Sequence, residues 1–316
     1  MNRRNFLKSI ALTGAAITIK ESGATTLMSQ HFNQAAGQAS GAGAYDLVAV
    51  LGGEPVAMFR RAITEMGGMG KFVFKGQKVA VKPNIGWDKV PELAANTNPE
   101  LIREIVKQCF DAGASEVVVF DHTCDDWRKC YANSGIESAA KAAGARMVPA
   151  DQESYYKPVS LPKGKSLKTA KVHEAILNAD VWINVPVLKN HGGAKMSISM
   201  KNLMGIVWDR RFFHANNLQQ CIADISTISK KPVLNVVDAY RLMKNNGPRG
   251  RSEADVVLSK GLFISQDMVA VDTAATNFFN QVRDMPLADI AHIGIGAKQQ
   301  VGTMELEKLK IKRVKI

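Results

Sequence analysis

The sequence predicts an α/β fold, a single large domain in which a mainly parallel sheet is covered by helices. Two observations favour this class: short apolar runs alternate with helical patterns, and the apolar runs are unbroken rather than alternately apolar and polar. A third is that no repeat or low-complexity linker divides the 316-residue chain after residue 45. With 46% hydrophobic residues, the chain can bury a sizeable core.

The predicted strands are rich in Val and Ile, and several of them end in polar residues. In chain order they cover residues 78–84, 116–122, 145–150, 181–191, 231–240 and 261–267. The C-terminal run 308–316 alternates basic and apolar residues. This alternation is typical of an edge strand that lysines protect from pairing with another chain.

The predicted helices separate these strands and cover residues 96–114, 134–144, 213–229 and 268–281. The first helix has the clearest limits, because Asn98 is a favoured N-cap, Pro99 fits the first helical position and Gly113 follows the end. Residues 151–171 are polar and rich in lysine. We expect them to form an excursion or a small subdomain.

Residues 1–44 have the pattern of a leader, so we expect the α/β domain to span residues 45–316. Arg3 and Arg4 precede a weakly apolar run, and Ala-Gly-Ala at 42–44 is a small-residue cleavage pattern. This segment resembles a twin-arginine export signal. The export machinery would then be a partner, and the location would be periplasmic or otherwise outside the inner membrane. A disordered basic tail is the alternative.

The chain is basic, with a formal net charge of +12 from 41 basic and 29 acidic residues. Residues 1–44 hold four of the basic residues and one acidic residue, which leaves +9 for the rest. No nucleic-acid motif accompanies this charge, so we expect no nucleic-acid partner. No 18-residue apolar run predicts a membrane span in the mature chain. A small anionic ligand, or solubility alone, would explain the charge.

Polar and charged side chains gather at the ends of the predicted strands. In open parallel sheets, ligands bind outside the carboxyl ends of the strands, so these side chains are expected to converge on one cleft. The residues concerned are Lys82, Asn84, Asp121, His122, Lys189, Asn190, His191, Asp238 and Asp267.

Residues 188–205 read LKNHGGAKMSISMKNLMG and carry Lys189, Lys195 and Lys201 without any acid. From Ala194 onward apolar and polar residues alternate, which predicts an extended segment with one buried and one cationic face. Crowded lysines repel one another, and a bound phosphate, sulfate or carboxylate would relieve the repulsion. We therefore interpret this lysine block as an anion-binding site.

Two other interpretations of the lysine block stay open. Asp238 or Asp272 would pair with the lysines in a structural network, or one lysine with a depressed pKa would act as nucleophile or general base. Arg249, in a Gly- and Pro-rich turn, could clamp a carboxylate or phosphate. The residues expected near the chemistry are Lys189, His191, His214 and Asp238. Those expected to bind the ligand are Lys82, Asn84, Asn190, Lys195, Lys201, Asn202 and Arg249.

The cysteines and histidines follow no established metal motif, and no cofactor is assigned from them. Residues 121–126, DHTCDD, are compatible with a metal, or alternatively with a solvated helix start. Cys124 and Cys130 could form a disulfide in an oxidising compartment. We expect His173 and His292 to be ordinary surface or helix-cap residues.

Six stretches of the sequence resemble the domain of unknown function 362 family and together span nearly all of residues 45–300. They are VKPNI (81–85), NVPVLKNHGGAKMSISMKNLMG (184–205), FH (213–214), VVDA (236–239), NGPRG (246–250) and SQDMVAVD (265–272). Some members of this family carry a ferredoxin-type segment and are described as iron–sulfur proteins. The resemblance therefore implies a metal- or iron–sulfur-associated redox or accessory function as the alternative to anion binding. This chain lacks the C-x2-C-x2-C-x3-C run of such segments.

Overall fold

The central sheet has ten strands in the computed structural model, which describes residues 45–316. Two more strands form a separate antiparallel pair. The strands are β1 (Leu47–Leu51), β2 (Lys78–Pro83), β3 (Glu116–Val119), β4 (Arg146–Met147), β5 (Tyr156–Ser160), β6 (Thr169–His173), β7 (Val181–Val185), β8 (Val187–His191), β9 (Lys195–Ser197), β10 (Leu234–Met243), β11 (Val256–Ser265) and β12 (Ile311–Lys315).

The sheet is mainly parallel, as predicted. Its order is β12-β1-β11-β10-β7-β2-β3-β4, and β8 pairs with β10 while β9 pairs with β8. Neighbours from β10 through β4 run parallel, and so do β12 and β1. The antiparallel exceptions are β11, which lies between β1 and β10, and β9 beside β8. A fold built around one such sheet confirms the predicted single α/β domain.

Helices pack against this sheet and bury its apolar side chains. Phe59, Ile105 and Val81 are fully buried in one core between the first two helices and the sheet. The helices are α1 (Pro55–Glu65), α2 (Pro99–Asp111), α3 (Trp127–Asn133), α4 (Ile136–Ala142), α5 (Glu174–Asn178), α6 (Ser199–Asn202), α7 (Arg210–Ala215), α8 (Leu218–Ile225), α9 (Met268–Phe279) and α10 (Ala291–Lys298).

Helix α2 begins where the sequence predicts. The side-chain oxygen of Asn98 accepts hydrogen bonds from the backbone N–H groups of Glu100, at 2.9 Å, and Leu101, at 3.4 Å. Pro99 occupies the first turn, where its missing N–H costs no hydrogen bond. These contacts fix the chain direction immediately after the loop that follows β2.

The lysine block is a short strand followed by a helix, so the prediction of one extended segment is wrong. Strand β9 has three residues, and α6 follows one residue later. Asp272 in α9 accounts for the helix start, because its carboxylate accepts hydrogen bonds from the N–H groups of Ser199 and Met200 at 2.8 and 2.9 Å. Lys195 is consequently exposed, whereas Lys201 is partly buried.

Residues 151–171 contain β5 and most of the paired strand β6, which form the separate two-stranded sheet. Strand β12 lies at the edge of the main sheet beside β1, as its sequence pattern predicts. In the part of the chain that the structure describes, no helix has the length and apolar character needed to cross a membrane. The predicted leader at 1–44 lies outside the described residues.

Candidate functional site

A cavity of about 370 Å³ opens at the carboxyl ends of β2, β3 and β8. We call it the cationic cavity. The residues predicted from the sequence that line it are Lys82, Asn84, Lys189, His191, Lys201, Asn202 and His214. The four at strand ends converge because the carboxyl ends of parallel strands meet at one edge of the sheet. The other three, Lys201, Asn202 and His214, come from α6 and α7.

Lys82 is fully buried and forms an ion pair with Asp121, with 2.7 Å between Nζ and Oδ1. The same ammonium group donates to Asn202 Oδ1 and to the carbonyl of Pro83, each at 2.8 Å. Burial lowers the pKa of Lys82, and the Asp121 carboxylate opposes this fall. All three N–H bonds of the protonated lysine therefore have acceptors, so this pair closes the inner wall of the cavity.

Gly205 covers the buried ion pair. A Cβ atom at this position would lie 1.9 Å from Asp121 Oδ1 and 2.5 Å from Lys82 Nζ. No side chain fits there without moving the pair, which explains a glycine after the second Lys-Asn pair of the lysine block.

Asparagines connect the strand ends behind the cavity. Asn202 Oδ1 accepts from Asn84 Nδ2 at 3.1 Å, and Asn202 Nδ2 donates to Asn184 Oδ1 at 2.8 Å. Asn184 Nδ2 in turn donates to Asn235 Oδ1 at 3.0 Å. Buried amides that satisfy one another in this way hold a fixed arrangement, so the lysines beside them are held by a rigid polar layer.

Lys189 is buried but has no carboxylate partner among the described residues. Its Nζ donates to Asn84 Oδ1 at 3.2 Å and to the carbonyl oxygen of Ala95. Burial lowers the pKa of Lys189 to about 7, and the positive charge of Lys201 acts in the same direction. Near neutral pH this amine is therefore divided between its charged and neutral forms, which suits proton transfer.

Lys201 and two histidines complete the polar lining. Burial, together with the charges of Arg210 and Lys82, lowers the pKa of Lys201 to about 8. Burial and the nearby Lys201 charge hold the pKa of His191 at about 2. His191 Nδ1 accepts from a backbone N–H at 3.1 Å, so its proton is on Nε2. His191 is thus a neutral donor.

Arg210 was missed by the sequence analysis. Its guanidinium donates to the carbonyls of His122 and Thr123 at 2.8 and 2.5 Å and lies 3.3 Å from Cys124 Sγ. Arg211 also lines the cavity. Their place in the sequence could have indicated them, because Arg210 and Arg211 lie four and three residues before His214, which was predicted to lie at the site.

The cationic cavity has an unbalanced charge. The described residues that line it include one carboxylate, Asp121, which Lys82 already neutralises. Its remaining cationic side chains are Lys189, Lys201, Arg210 and Arg211.

A family model described as "Domain of unknown function (DUF362)" matches residues 79–277. The chain belongs to the DUF362 family. The match includes the lysine block and every described residue that lines the cationic cavity.

This DUF362 protein is similar to a curated protein and, in its fold, to a solved structure. It is 25% identical over 233 residues to "Thylakoid-associated protein sll1697" of Synechocystis sp., with 71% of this chain and 70% of that protein covered. The lactate racemase apoprotein from Thermoanaerobacterium thermosaccharolyticum aligns with a TM-score of 0.49 and 14% identity. That alignment covers 74% of this chain and 57% of the racemase chain.

Four of the predicted site residues do not line the cationic cavity. Asp238 is buried and accepts from the N–H groups of Asn98 and Tyr240 at 2.7 and 3.0 Å. Burial raises the pKa of Asp238 to about 6. Its contacts connect β10 to the start of α2. The other three residues outside the lining are Asn190, Lys195 and Arg249.

These three residues have other surroundings. Asn190 Oδ1 accepts from the N–H of Gly247 at 3.2 Å. This hydrogen bond joins β8 to the Gly- and Pro-rich turn at 246–250. Lys195 is exposed on β9. Arg249 lies beside the cavity, 3.4 Å from Asp125 and over the ring of Trp87, which does line it.

The acids proposed to pair with the lysine block do not do so in the described structure. Asp272 binds the start of α6, and burial raises its pKa to about 7. Asp238 binds backbone N–H groups only. The structural network expected from these two acids is therefore wrong, and Lys189 and Lys201 lack carboxylate partners among the described residues.

The two cysteines predicted to pair, Cys124 and Cys130, differ in their exposure. Cys124 is exposed at the cationic cavity and Cys130 is buried, both as free thiols. Within residues 45–316, no group of three or more His, Cys, Asp or Glu side chains is arranged to hold a metal ion. His173 is the N-cap of α5, which is one of the two roles predicted for it. His292 is fully buried, against the prediction, with Nδ1 2.6 Å from Gln219.

Proposed function

We propose that the cationic cavity binds a small carboxylate or phosphate anion. One observation carries the proposal: four cationic side chains line the cavity without a carboxylate that could balance them. Lysines in such a site repel one another and are stabilised when an anion supplies the opposite charge. Lys201 and Arg210 would contact the anion, because both have charge at the cavity wall.

Lys189 would take up a proton as the anion binds and then act as a general acid toward it. Its pKa lies at about 7 without ligand, and a bound negative charge would favour the protonated amine. Its contacts with Asn84 and Ala95 fix the position of the amine. Neutral His191 would donate a hydrogen bond to an oxygen of the ligand without adding charge.

Isothermal titration calorimetry with phosphate and with acetate tests anion binding. We expect saturable binding in the millimolar range, weakened about tenfold or more in Lys201→Met, because a charge-assisted contact is lost. Lys195→Met is the matched control: it lies on the same segment but outside the cavity, and its affinity should equal that of the wild type. Equal effects of the two substitutions, or no saturable binding, would contradict the proposal.

We further propose that residues 1–44 direct export through the twin-arginine route, to the periplasm or another site outside the inner membrane. The Arg3-Arg4 pair and the Ala-Gly-Ala pattern at 42–44 support this, and the curated relative is named thylakoid-associated. Changing Arg3 and Arg4 to Lys should leave an uncleaved precursor in the cytoplasm, as cell fractionation would detect. Unimpaired export of the double variant would refute the assignment.

A further inference from the structure

A second and larger cavity adjoins the cationic cavity. Its volume is about 960 Å³, and it lies between the β5–β6 pair and residues 207–212. We call it the groove. His122, Arg210 and Arg211 line both cavities. The two cavities therefore meet at these three side chains, so a ligand that reaches past them would occupy both.

Aromatic and aliphatic side chains form much of the groove. Trp208 stacks on His122, with ring centroids 5.2 Å apart and planes 2° from parallel. The centroid of the Tyr156 ring lies 5.3 Å from that of Trp208. Phe212 and Leu167 contribute further apolar surface. Rings held by their neighbours in this way offer rigid apolar area at little entropic cost.

The groove has more cationic than acidic side chains: Lys168, Lys171, Arg210 and Arg211 against Glu153 and Asp209. Glu153 pairs with Lys171, and Asp209 accepts from the N–H of Phe212 at 3.1 Å at the start of α7. Arg211 is exposed, and no side-chain hydrogen bond or ion pair of it occurs among residues 45–316. The groove thus suits the apolar part of a ligand whose other end is an anionic group.

Resting on the proposed function, we infer that the ligand is an elongated anion rather than a bare one. Its carboxylate or phosphate lies in the cationic cavity, and an aromatic or aliphatic body lies in the groove against Trp208 and Phe212. Sites for small organic ligands usually enclose about 300–1,000 Å³. The cationic cavity alone is near the lower end of that range, whereas the groove is near the upper end.

The affinities of phosphate, phenyl phosphate and 2-naphthyl phosphate, measured by calorimetry, test this inference. In the wild type we expect affinity to rise along the series by about tenfold overall, because the rings bury apolar surface. Thr169→Trp should abolish the gain while leaving phosphate affinity unchanged, since exposed Thr169 lines the groove outside the cationic cavity. Thr64→Trp, at an exposed position on α1 outside both cavities, is the control.

The outcomes separate this inference from the proposed function. If all three phosphates bind with equal affinity, anion binding stands and the elongated ligand is overturned. If Thr169→Trp and Thr64→Trp act alike, the groove is not where the ring binds, and the inference is again overturned. If none of the three binds, the proposed function fails and the inference with it. The wild-type series needs no variant to fold.

Discussion

Lys82 and Lys189 are both buried at strand ends beside the same cavity, yet they differ in their partners. Lys82 contacts a carboxylate, Asp121, at 2.7 Å. Lys189 contacts only the amide oxygen of Asn84 and the carbonyl of Ala95. Their side chains are 0% and 1% exposed, respectively, so solvent does not account for the difference.

The comparison indicates which lysine stabilises the fold and which one is available to a ligand. A buried charge needs a counter-charge, and without one it loses its proton more readily. Lys82 has that counter-charge within the protein. Lys189 has none among the described residues, and burial lowers its pKa to about 7. We propose that a bound anion would supply for Lys189 what Asp121 supplies for Lys82.

Removing the internal counter-charge should have the largest effect. Asp121→Asn leaves the Lys82 ammonium buried and unpaired, so we expect the free energy of unfolding to fall by about 3–5 kcal/mol. Urea denaturation measures this. Glu137→Gln is the control, because it breaks only the exposed pair with Lys141 and should cost about 0.5 kcal/mol or less. Similar losses in both variants would show that the buried pair has no special role.

The pH dependence of stability distinguishes lysines with internal partners from lysines without. The pKa of Lys201 is about 8 in the folded chain and about 10.4 in the unfolded chain. Between these values the unfolded state holds the extra proton, so stability without ligand rises with pH. From pH 8 to pH 10, we expect the free energy of unfolding of the wild type to rise by roughly 2 kcal/mol more than that of Lys201→Met. Parallel profiles would contradict the lowered pKa.

Lys189→Met should have a smaller effect on stability than Asp121→Asn. The substitution removes a buried amine whose pKa of about 7 in the folded chain disfavours folding at pH 8, and this relief outweighs the lost hydrogen bonds to Asn84 and Ala95. We therefore expect the free energy of unfolding at pH 8 to rise by about 1 kcal/mol. A loss as large as that of Asp121→Asn would mean that Lys189 also stabilises the fold through a charge.

The sequence predicted the parts of this site that depend on local structure. Apolar strands ending in Lys82 and Lys189, and the Asn98-Pro99 helix start, follow from patterns within a few residues. Because the strands are parallel, their ends converge. Six of the nine residues predicted at strand ends line the cavity: Lys82, Asn84, Asp121, His122, Lys189 and His191.

Residues that depend on distant contacts could not be predicted in this way. Asp238 shares the strand-end pattern but binds the backbone of Asn98, far away in sequence. The alternation in the lysine block suggested a strand, but Asp272, from a later helix, starts α6 instead. Arg210 reaches the cavity through carbonyl oxygens of another loop. Each outcome depends on tertiary contacts, which residue spacing does not contain.

The pKa of Lys189, measured by ¹³C NMR of its Cε with and without phosphate, tests the central claim most directly. The Lys189→Met spectrum assigns the resonance. We predict a pKa near 7 without phosphate and a marked rise toward about 10.4 at saturation, because the bound anion supplies the missing counter-charge. A pKa that saturating phosphate leaves unchanged, or one already near its ordinary value without phosphate, would contradict the account.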